Sequence, residues 1–237
     1  MYRFYEKNQE NFSLVLILAY VVLFSLADNL SAAIGIRKII TAPVAIVMTA
    51  VIYFFLRSHG LREKYGLCRF RGNFREYLYF LPLAALVSTN LWAGVAIRSS
   101  ALEAVLHVVT MLAVGFLEEI IFRGFLFLAL DQKNRKQAVV ISSLTFGIGH
   151  VVNLLNGAEL IPTLLQICYA VAIGFLFTIL FLRSGSLWPC ILTHSAVNSL
   201  SAFGGEGSML MNLLASLFLC AVSLFYAFWI LKKTQKL

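Results

Sequence analysis

The sequence predicts an all-α, polytopic membrane protein with about eight transmembrane helices. Of its 237 residues, 60% are hydrophobic and the mean hydropathy is +0.86. Charged residues make up 13% of the chain, about half the ~25% of an ordinary soluble domain. The apolar residues come in continuous runs of roughly 18–25, long enough to cross a bilayer as helices. Continuous runs favour a helical bundle over a barrel, whose strands would alternate.

The eight predicted spans form one integral membrane domain over residues 1–237. The first span follows a mixed-charge start without a small-residue cleavage site, which is typical of a retained anchor rather than a signal peptide. The spans lie at approximately 12–27, 39–56, 77–97, 104–130, 138–155, 161–182, 186–203 and 209–231.

Lys and Arg predict the orientation of these spans, since cytoplasmic loops carry an excess of both. Of 19 such residues, 15 fall on the side that holds both termini, and Arg37, Lys38 and Arg98 fall on the other; Arg123 lies within a span. The sequence therefore predicts a multi-pass protein of the cell membrane with both termini cytoplasmic. The net charge of +8 lies in short loops beside spans, so the expected partner is the lipid bilayer and not a nucleic acid.

Two further features leave alternatives open. The basic segment 57–76 also carries aromatic residues, and it is either a short interfacial helix or a loop that sets topology. The four cysteines are scattered without metal-ligand spacing, which favours free thiols: Cys68, Cys168, Cys190 and Cys220.

The fourth span carries two carboxylates and a guanidinium, which are costly in hydrocarbon and hence mark a functional site. Glu119 and Arg123 are spaced i, i+4, so they should form a salt bridge on one helix face. Glu118 points about 100° away from Glu119 and must find its partner in another helix, in water or in substrate. We expect Glu118 to be a general acid or base, the alternative being that both glutamates are structural.

The fifth and seventh spans each carry an imidazole. Phe146 and His150 share one face of the fifth span, and His194 and Asn198 share one face of the seventh. Depths counted from the cytoplasmic helix ends overlap in the inner half of the bilayer at about 1.5 Å per residue. We therefore expect these groups to converge within reach of cytoplasmic water.

Two chemistries are open for this cluster. Glu118, His150 and His194 could bind zinc with a water in the open position. Alternatively, Glu118 and His150 activate a water without a cofactor while His194 and Asn198 donate hydrogen bonds to an oxyanion; this option is preferred because it uses Asn198. The sequence has no His-Glu-x-x-His pair, and no Asp is placed to complete a triad with Ser195.

The three motifs together resemble a known family. Glu-Glu-x-x-x-Arg, Phe-x-x-x-His and His-x-x-x-Asn, in that order on successive helices, resemble the CAAX-prenyl-protease and bacteriocin-processing (CPBP, or Abi) intramembrane proteases. The flanking segments 115–126 and 185–198 fit as well. The resemblance covers about residues 104–200, which would be the catalytic core.

The resemblance implies an intramembrane endopeptidase, described in this family both as glutamate-dependent and as metal-dependent. It implies that Glu118 and His150 activate water, that Glu119 and Arg123 support the site, and that His194 and Asn198 form the oxyanion hole. Leader, pheromone or bacteriocin peptides, cleaved near the cytoplasmic side, suit this short-looped chain better than prenylated proteins. The alternatives are a non-catalytic immunity or scaffold protein and, less favoured, a proton-coupled transporter.

Overall fold

The computed structural model describes residues 1–70 and 80–233, which are helical apart from short connections. A 3₁₀ turn, Thr89–Leu91, extends α4, and a π-helical segment, Glu119–Leu126, joins α5 to α6. The α-helices are α1 Tyr2–Lys7, α2 Gln9–Ile34, α3 Thr41–Ser58, α4 Leu81–Ser88, α5 Ala101–Glu118, α6 Phe127–Asp131, α7 Arg135–Gly149, α8 Val152–Leu155, α9 Leu160–Ser184, α10 Trp188–Leu200 and α11 Met209–Lys233.

Within the described ranges, six helical segments are long and apolar enough to cross a membrane: Gln9–Ile34, Thr41–Ser58, Ala101–Asp131, Arg135–Leu155, Leu160–Ser184 and Met209–Lys233. These six agree with predicted spans. The predicted spans at 77–97 and 186–203 contain shorter helices, Leu81–Leu91 and Trp188–Leu200. The latter has 13 residues and is about 20 Å long at 1.5 Å per residue. Residues 77–79 lie outside the described ranges, and the count of eight stays a prediction.

Local sequence signals set several helix ends. Ser100 and Glu103 form a capping box at the start of α5, so two backbone N–H groups are satisfied there. Gly35 ends α2 with φ of 81°, and Gly185 ends α9 with φ of 65°. A left-handed C-cap of this kind is easiest for glycine, which has no Cβ.

The segment predicted as an interfacial helix is only partly described, because residues 71–76 lie outside the described ranges. Residues 59–70 form turns that pack beneath the bundle, where Leu187 donates a backbone hydrogen bond of 2.8 Å to Gly66. The four cysteines are free thiols, as predicted.

One end of the bundle, here called the terminal end, gathers α1, the turns 59–70 and the helix connections near 132–134 and 185–187. Lys133 forms an ion pair of 2.7 Å with Glu10 near the start of α2, and Gln132 donates to Gln9 at 3.1 Å. These contacts show that the first residues of α2 lie at the same end as the α6–α7 connection.

The opposite end, here called the loop end, gathers the connections 35–40, 92–100, 156–159 and 201–208. Arg98 pairs with Glu206 at 2.6 Å, and Asn29 donates to Asn156 at 3.3 Å. The Arg37 backbone N–H donates to Glu103 at 3.0 Å. The four connections therefore meet at one end of the bundle.

Glycines let the helices that carry the polar motifs approach closely. A Cβ on Gly115 would lie 2.2 Å from the Ser195 Oγ and 2.8 Å from its backbone nitrogen, and a Cβ on Gly147 would lie 2.3 Å from a Val171 methyl. Small residues permit such backbone contact between membrane helices. The α5–α10 contact at Gly115 places His194, the neighbour of Ser195, against the glutamates of the fourth predicted span.

Gly115→Ala should destabilise the protein by about 1–3 kcal/mol, the usual range for overpacking. The added methyl group meets Ser195 backbone as well as side-chain atoms, so α5 and α10 must separate. Thermal unfolding in detergent measures the effect. Gly149→Ala is the matched control, because a Cβ there would meet no atom within 4 Å. Equal melting temperatures for the two variants would contradict this account of the helix contact.

Candidate active site

The predicted salt bridge of the fourth span is present. Arg123 Nη1 lies 3.2 Å from Glu119 Oε1, and both side chains have no solvent exposure. Both residues fall in the π-helical segment Glu119–Leu126 and not in a regular α-helix. Short π-helical segments often occur at functional sites. The Ser142 hydroxyl of α7 donates to the Phe122 carbonyl at 2.8 Å, which ties α7 to this segment.

His194 connects the two glutamates. Its Nδ1 lies 2.8 Å from Glu119 Oε1, and its Nε2 lies 3.6 Å from Glu118 Oε2. The first distance is that of a hydrogen bond, whereas the second is too long for one. Because a carboxylate accepts, Nδ1 donates to Glu119. Two carboxylates therefore face one guanidinium and one imidazole, and the cluster is neutral when His194 carries a second proton.

Glu118 finds its partner in α2. The Tyr20 hydroxyl donates to Glu118 Oε1 at 2.5 Å, across 98 residues of sequence. Tyr20 is 9% exposed, and the Glu118 side chain is 13% exposed. Tyr20 thus holds one carboxylate oxygen of Glu118, and the other faces His194.

The Arg123 guanidinium packs between aromatic rings. Its Cζ lies 3.9 Å from the centroid of Phe146 and 5.7 Å from that of Phe177. Gly174 makes room for it, since a Cβ there would lie 3.1 Å from Arg123 Nη2 and 3.3 Å from Phe146. A cation over an aromatic face is stabilised by the ring quadrupole. The phenylalanine of the second motif therefore supports the arginine of the first.

His150 is held at the C-terminal end of α7. Its Nδ1 lies 3.1 Å from the Phe146 carbonyl oxygen, one turn earlier. A carbonyl oxygen only accepts, so Nδ1 donates and Nε2 carries the lone pair of the neutral ring. The Phe146 ring contacts both imidazoles edge to face, at 5.3 Å from His150 and 5.8 Å from His194. His150 Nδ1 is thus engaged within its own helix, and Nε2 is the nitrogen that takes no part in this contact.

Two adjoining cavities meet these side chains. The first, of about 200 Å³, is lined by Glu118, Tyr20, His150 and Asn198, among others. The second, of about 330 Å³, is lined by His194 and again by His150 and Asn198. A water needs only ~10–15 Å³ of such space. Both cavities can therefore hold water or part of a substrate beside the cluster.

Asn198 lies one turn after His194 on α10 and borders both cavities. Its backbone carbonyl accepts from the Ser201 hydroxyl at 2.6 Å and lies 3.2 Å from His107 Nε2. The structure thus joins Glu118, Glu119, Arg123 and His194 by direct contacts, and it places His150 and Asn198 across shared cavities from them.

Both cavities extend to the loop end. The first reaches Asp28, Lys38 and Asn156, and the second reaches His107 and Ser201. If both termini are cytoplasmic, as the sequence predicts, the loop end faces the other side of the membrane. Depth along each helix predicts access by cytoplasmic water and cleavage near the cytoplasmic side. Depth does not show at which end the helices separate, so it does not locate the opening of a cavity. Those predictions do not fit the cavities in the predicted orientation.

The residues do not form a ready zinc site. Within residues 1–70 and 80–233, no three His, Cys, Asp or Glu side chains are grouped as metal ligands. Each imidazole uses Nδ1 in a contact with an oxygen, His194 with Glu119 and His150 with a carbonyl, so Nε2 is the nitrogen that a metal would use. The predicted zinc set of Glu118, His150 and His194 is therefore not preformed, and the metal requirement of the protein stays a prediction.

Sequence reasoning missed Tyr20 and His107. Tyr20 lies outside the motifs, but a phenol in an apolar span needs a hydrogen-bond partner and could have signalled its role. His107 lies about two turns before Gly115 on α5, and its Nε2 is 3.1 Å from the Ser201 hydroxyl. Its nearest polar partners belong to the end of α10, so it supports that helix end.

Comparison with known families identifies the segment that carries the site. Residues 99–200 match the family model described as type II CAAX prenyl endopeptidase Rce1-like. This segment is Rce1-like. All six predicted site residues fall inside it, and the predicted resemblance to the CAAX-protease family is confirmed. No curated protein and no solved structure matches the chain.

The Rce1-like match supports a protease in a membrane protein. The matched segment begins at Ser99, just before the capping box of α5, and ends with α10. It covers less than half of the chain and leaves out α2. The contact between Tyr20 and Glu118 therefore joins the Rce1-like segment to a helix outside it.

Proposed function

We propose that the protein is an intramembrane endopeptidase that hydrolyses a peptide bond with a water activated by Glu118 and His150. The observation that carries the proposal is the cavity of about 200 Å³ that Glu118 and His150 both line. Among the described residues, Glu118 Oε2 and Glu119 Oε2 are buried without a hydrogen-bond partner. A buried carboxylate oxygen without a partner calls for an explanation, and a catalytic role is one such explanation.

In the proposed reaction, Glu118 or His150 Nε2 takes a proton from the water as its oxygen attacks the carbonyl carbon. The C–N bond then breaks, and the same proton goes to the leaving amine nitrogen. The other water proton stays on the acyl product, so the products are a carboxylic acid and an amine, which become a carboxylate and an ammonium group when the acid gives its proton to the amine. Proton transfer by a positioned side chain contributes about 10²–10⁴-fold to rate. Tyr20 holds one oxygen of the Glu118 carboxylate for this role, and the other oxygen faces His194.

His194 and Asn198 would stabilise the oxyanion that forms on the carbonyl oxygen. They lie on one face of α10 and both border the second cavity. Donation from His194 Nε2 requires both ring protons, the state in which the cluster with Glu118, Glu119 and Arg123 is neutral. Donors aimed at a developing charge in a site shielded from water are among the largest catalytic effects.

The substrate class we propose is a membrane-associated peptide or protein, such as a leader, pheromone or bacteriocin precursor. Purified protein in liposomes, incubated with a panel of quenched fluorescent peptides, tests the activity. Cleavage that survives chelator treatment and requires no added metal supports the glutamate mechanism. Cleavage lost to chelator and restored by zinc would replace it with a metal-dependent one. No cleavage of any peptide would favour the immunity or scaffold alternative.

Tyr20→Phe should lower peptide hydrolysis roughly ten- to a hundredfold, since a hydrogen bond to a charged group is worth about 1.5–3 kcal/mol. The ring remains to fill the space, so folding should persist. Tyr53→Phe, in another span, is the control. An unchanged rate in Tyr20→Phe would show that the contact has no catalytic role.

A further inference from the structure

We propose that the candidate site opens to the non-cytoplasmic side of the membrane and receives its peptide from that side. The direction of the opening follows from the cavities, the packing and the distribution of charge. The inference that the site receives a peptide rests on the proposed function. Two sequence-based predictions, cytoplasmic termini and a site reached from the cytoplasm, conflict with each other in this structure. The charge distribution decides which of them is kept.

The first cavity gives a path from the catalytic carboxylate to the loop end. Its lining runs from Glu118 and Tyr20 to Lys38 and Asn156, which belong to the connections after α2 and after α8. Asn156 bridges the rim, because it donates to the Ser25 hydroxyl at 3.4 Å and accepts from Asn29 at 3.3 Å. The path thus runs between α2 and the end of α7.

A second path reaches the same end. The larger cavity ends at His107 and Ser201, which also line a third cavity of about 280 Å³. That third cavity is bordered by Arg37 and Arg98 from two loop-end connections. Both routes from the site therefore lead to the loop end.

The terminal end is closed beneath the site by aromatic rings. Phe125, two residues after Arg123, contacts Phe12 at 5.3 Å and Tyr65 at 4.5 Å between ring centroids. The Tyr65 hydroxyl donates to Tyr5 at 2.9 Å. Each of these four rings is at most 3% exposed. This packing separates the cluster from water at the terminal end.

Positive charge is concentrated at the closed end. Among the described residues, the loop end has three basic side chains, Arg37, Lys38 and Arg98, and the terminal end has twelve. The excess of Lys and Arg marks the cytoplasmic side of a membrane protein. The closed end is therefore cytoplasmic, and the open end is not.

The wall of the first cavity suits an extended peptide. Ser25, Asn153 and Gln166 offer hydroxyl and amide groups that can donate to and accept from a peptide main chain, beside apolar Val21 and Phe24. Binding pockets commonly combine an apolar lining with a few polar groups that orient the ligand. We infer that the substrate is a peptide segment presented at the non-cytoplasmic membrane surface.

Cysteine accessibility in cell membranes tests the opening. Ser25→Cys places a near-isosteric thiol in the cavity wall, Asn156→Cys places one at its rim, and Glu63→Cys places one at the exposed terminal end. Cys68, Cys168 and Cys220 are first replaced by alanine, and the fully buried Cys190 is kept. A membrane-impermeant maleimide is added to intact cells or to inverted vesicles.

Labelling of Ser25→Cys and Asn156→Cys in intact cells, with Glu63→Cys labelled only in inverted vesicles, is the expected result. The reverse pattern would overturn the proposal. Labelling needs no catalysis, so it decides the opening even if no peptide is ever cleaved. If the thiols label from outside, an active protein in right-side-out vesicles should also cleave an added peptide. Cleavage only in inverted vesicles would overturn the proposed direction of substrate access but not the endopeptidase.

Discussion

Glu118→Gln should reduce peptide hydrolysis by about 10²–10⁴-fold, the contribution of a positioned general base. An amide of the same shape keeps a hydrogen-bond acceptor for Tyr20 but cannot take a proton from water. The expression and melting temperature of the variant should stay near those of the native protein. The effect is measured as the initial rate of cleavage of one quenched fluorescent peptide. Each rate is divided by the concentration of folded protein.

Glu63→Gln is the matched control for this substitution, because it removes an exposed carboxylate from the terminal end, away from the cavities. Its rate should equal that of the native protein. A Glu118→Gln rate within a few-fold of the control would remove Glu118 from the chemistry and leave it a structural residue.

Arg123→Met should cost about 3–5 kcal/mol of stability, because breaking a buried ion pair leaves the Glu119 carboxylate uncompensated. Both partners have no exposure, and the pair is 3.2 Å long. Unfolding can be followed with a thiol-reactive dye that reports exposure of Cys190, once the other cysteines are replaced. Arg123→Met combined with Glu119→Gln should recover part of the loss.

The chain offers a surface pair with the same spacing as a control. Arg135 and Asp131 are also i, i+4 and lie 2.9 Å apart, but the arginine side chain is 52% exposed. Exposed helix pairs are worth about 0.3–0.5 kcal/mol, so Arg135→Met should hardly change the melting temperature. An equal loss of stability in Arg123→Met and Arg135→Met would show that burial does not set the strength of the Glu119–Arg123 pair.

Local spacing predicted the parts of the site that lie within one helix. The i, i+4 rule gave the Glu119–Arg123 salt bridge, and the lack of a partner for Glu118 on its own helix predicted a contact with another element. The identity of that partner could not be predicted, because Tyr20 is 98 residues away and no spacing rule relates them. The π-helical geometry of Glu119–Leu126 was likewise not predicted, since residue spacing carries no signal for it.

Hydropathy predicted the long helices better than the short ones. Six predicted spans coincide with helices long enough to cross a membrane, whereas the segments 77–97 and 186–203 contain shorter helices. A window of apolar residues does not distinguish a spanning helix from one that ends inside the bundle. Depth along the helices placed His150 and Glu118 near each other. It could not show that the cavity between them runs to the loop end, because depth carries no information about where helices separate.

The kinetics of Glu118→Gln, His150→Ala and the double variant test the central claim most directly, which is that these two side chains activate one water. Residues that act as a unit are strongly non-additive, so the double variant should be about as slow as the slower single variant. Two independent effects that multiply in the double variant, or a native rate in His150→Ala, would contradict the claim.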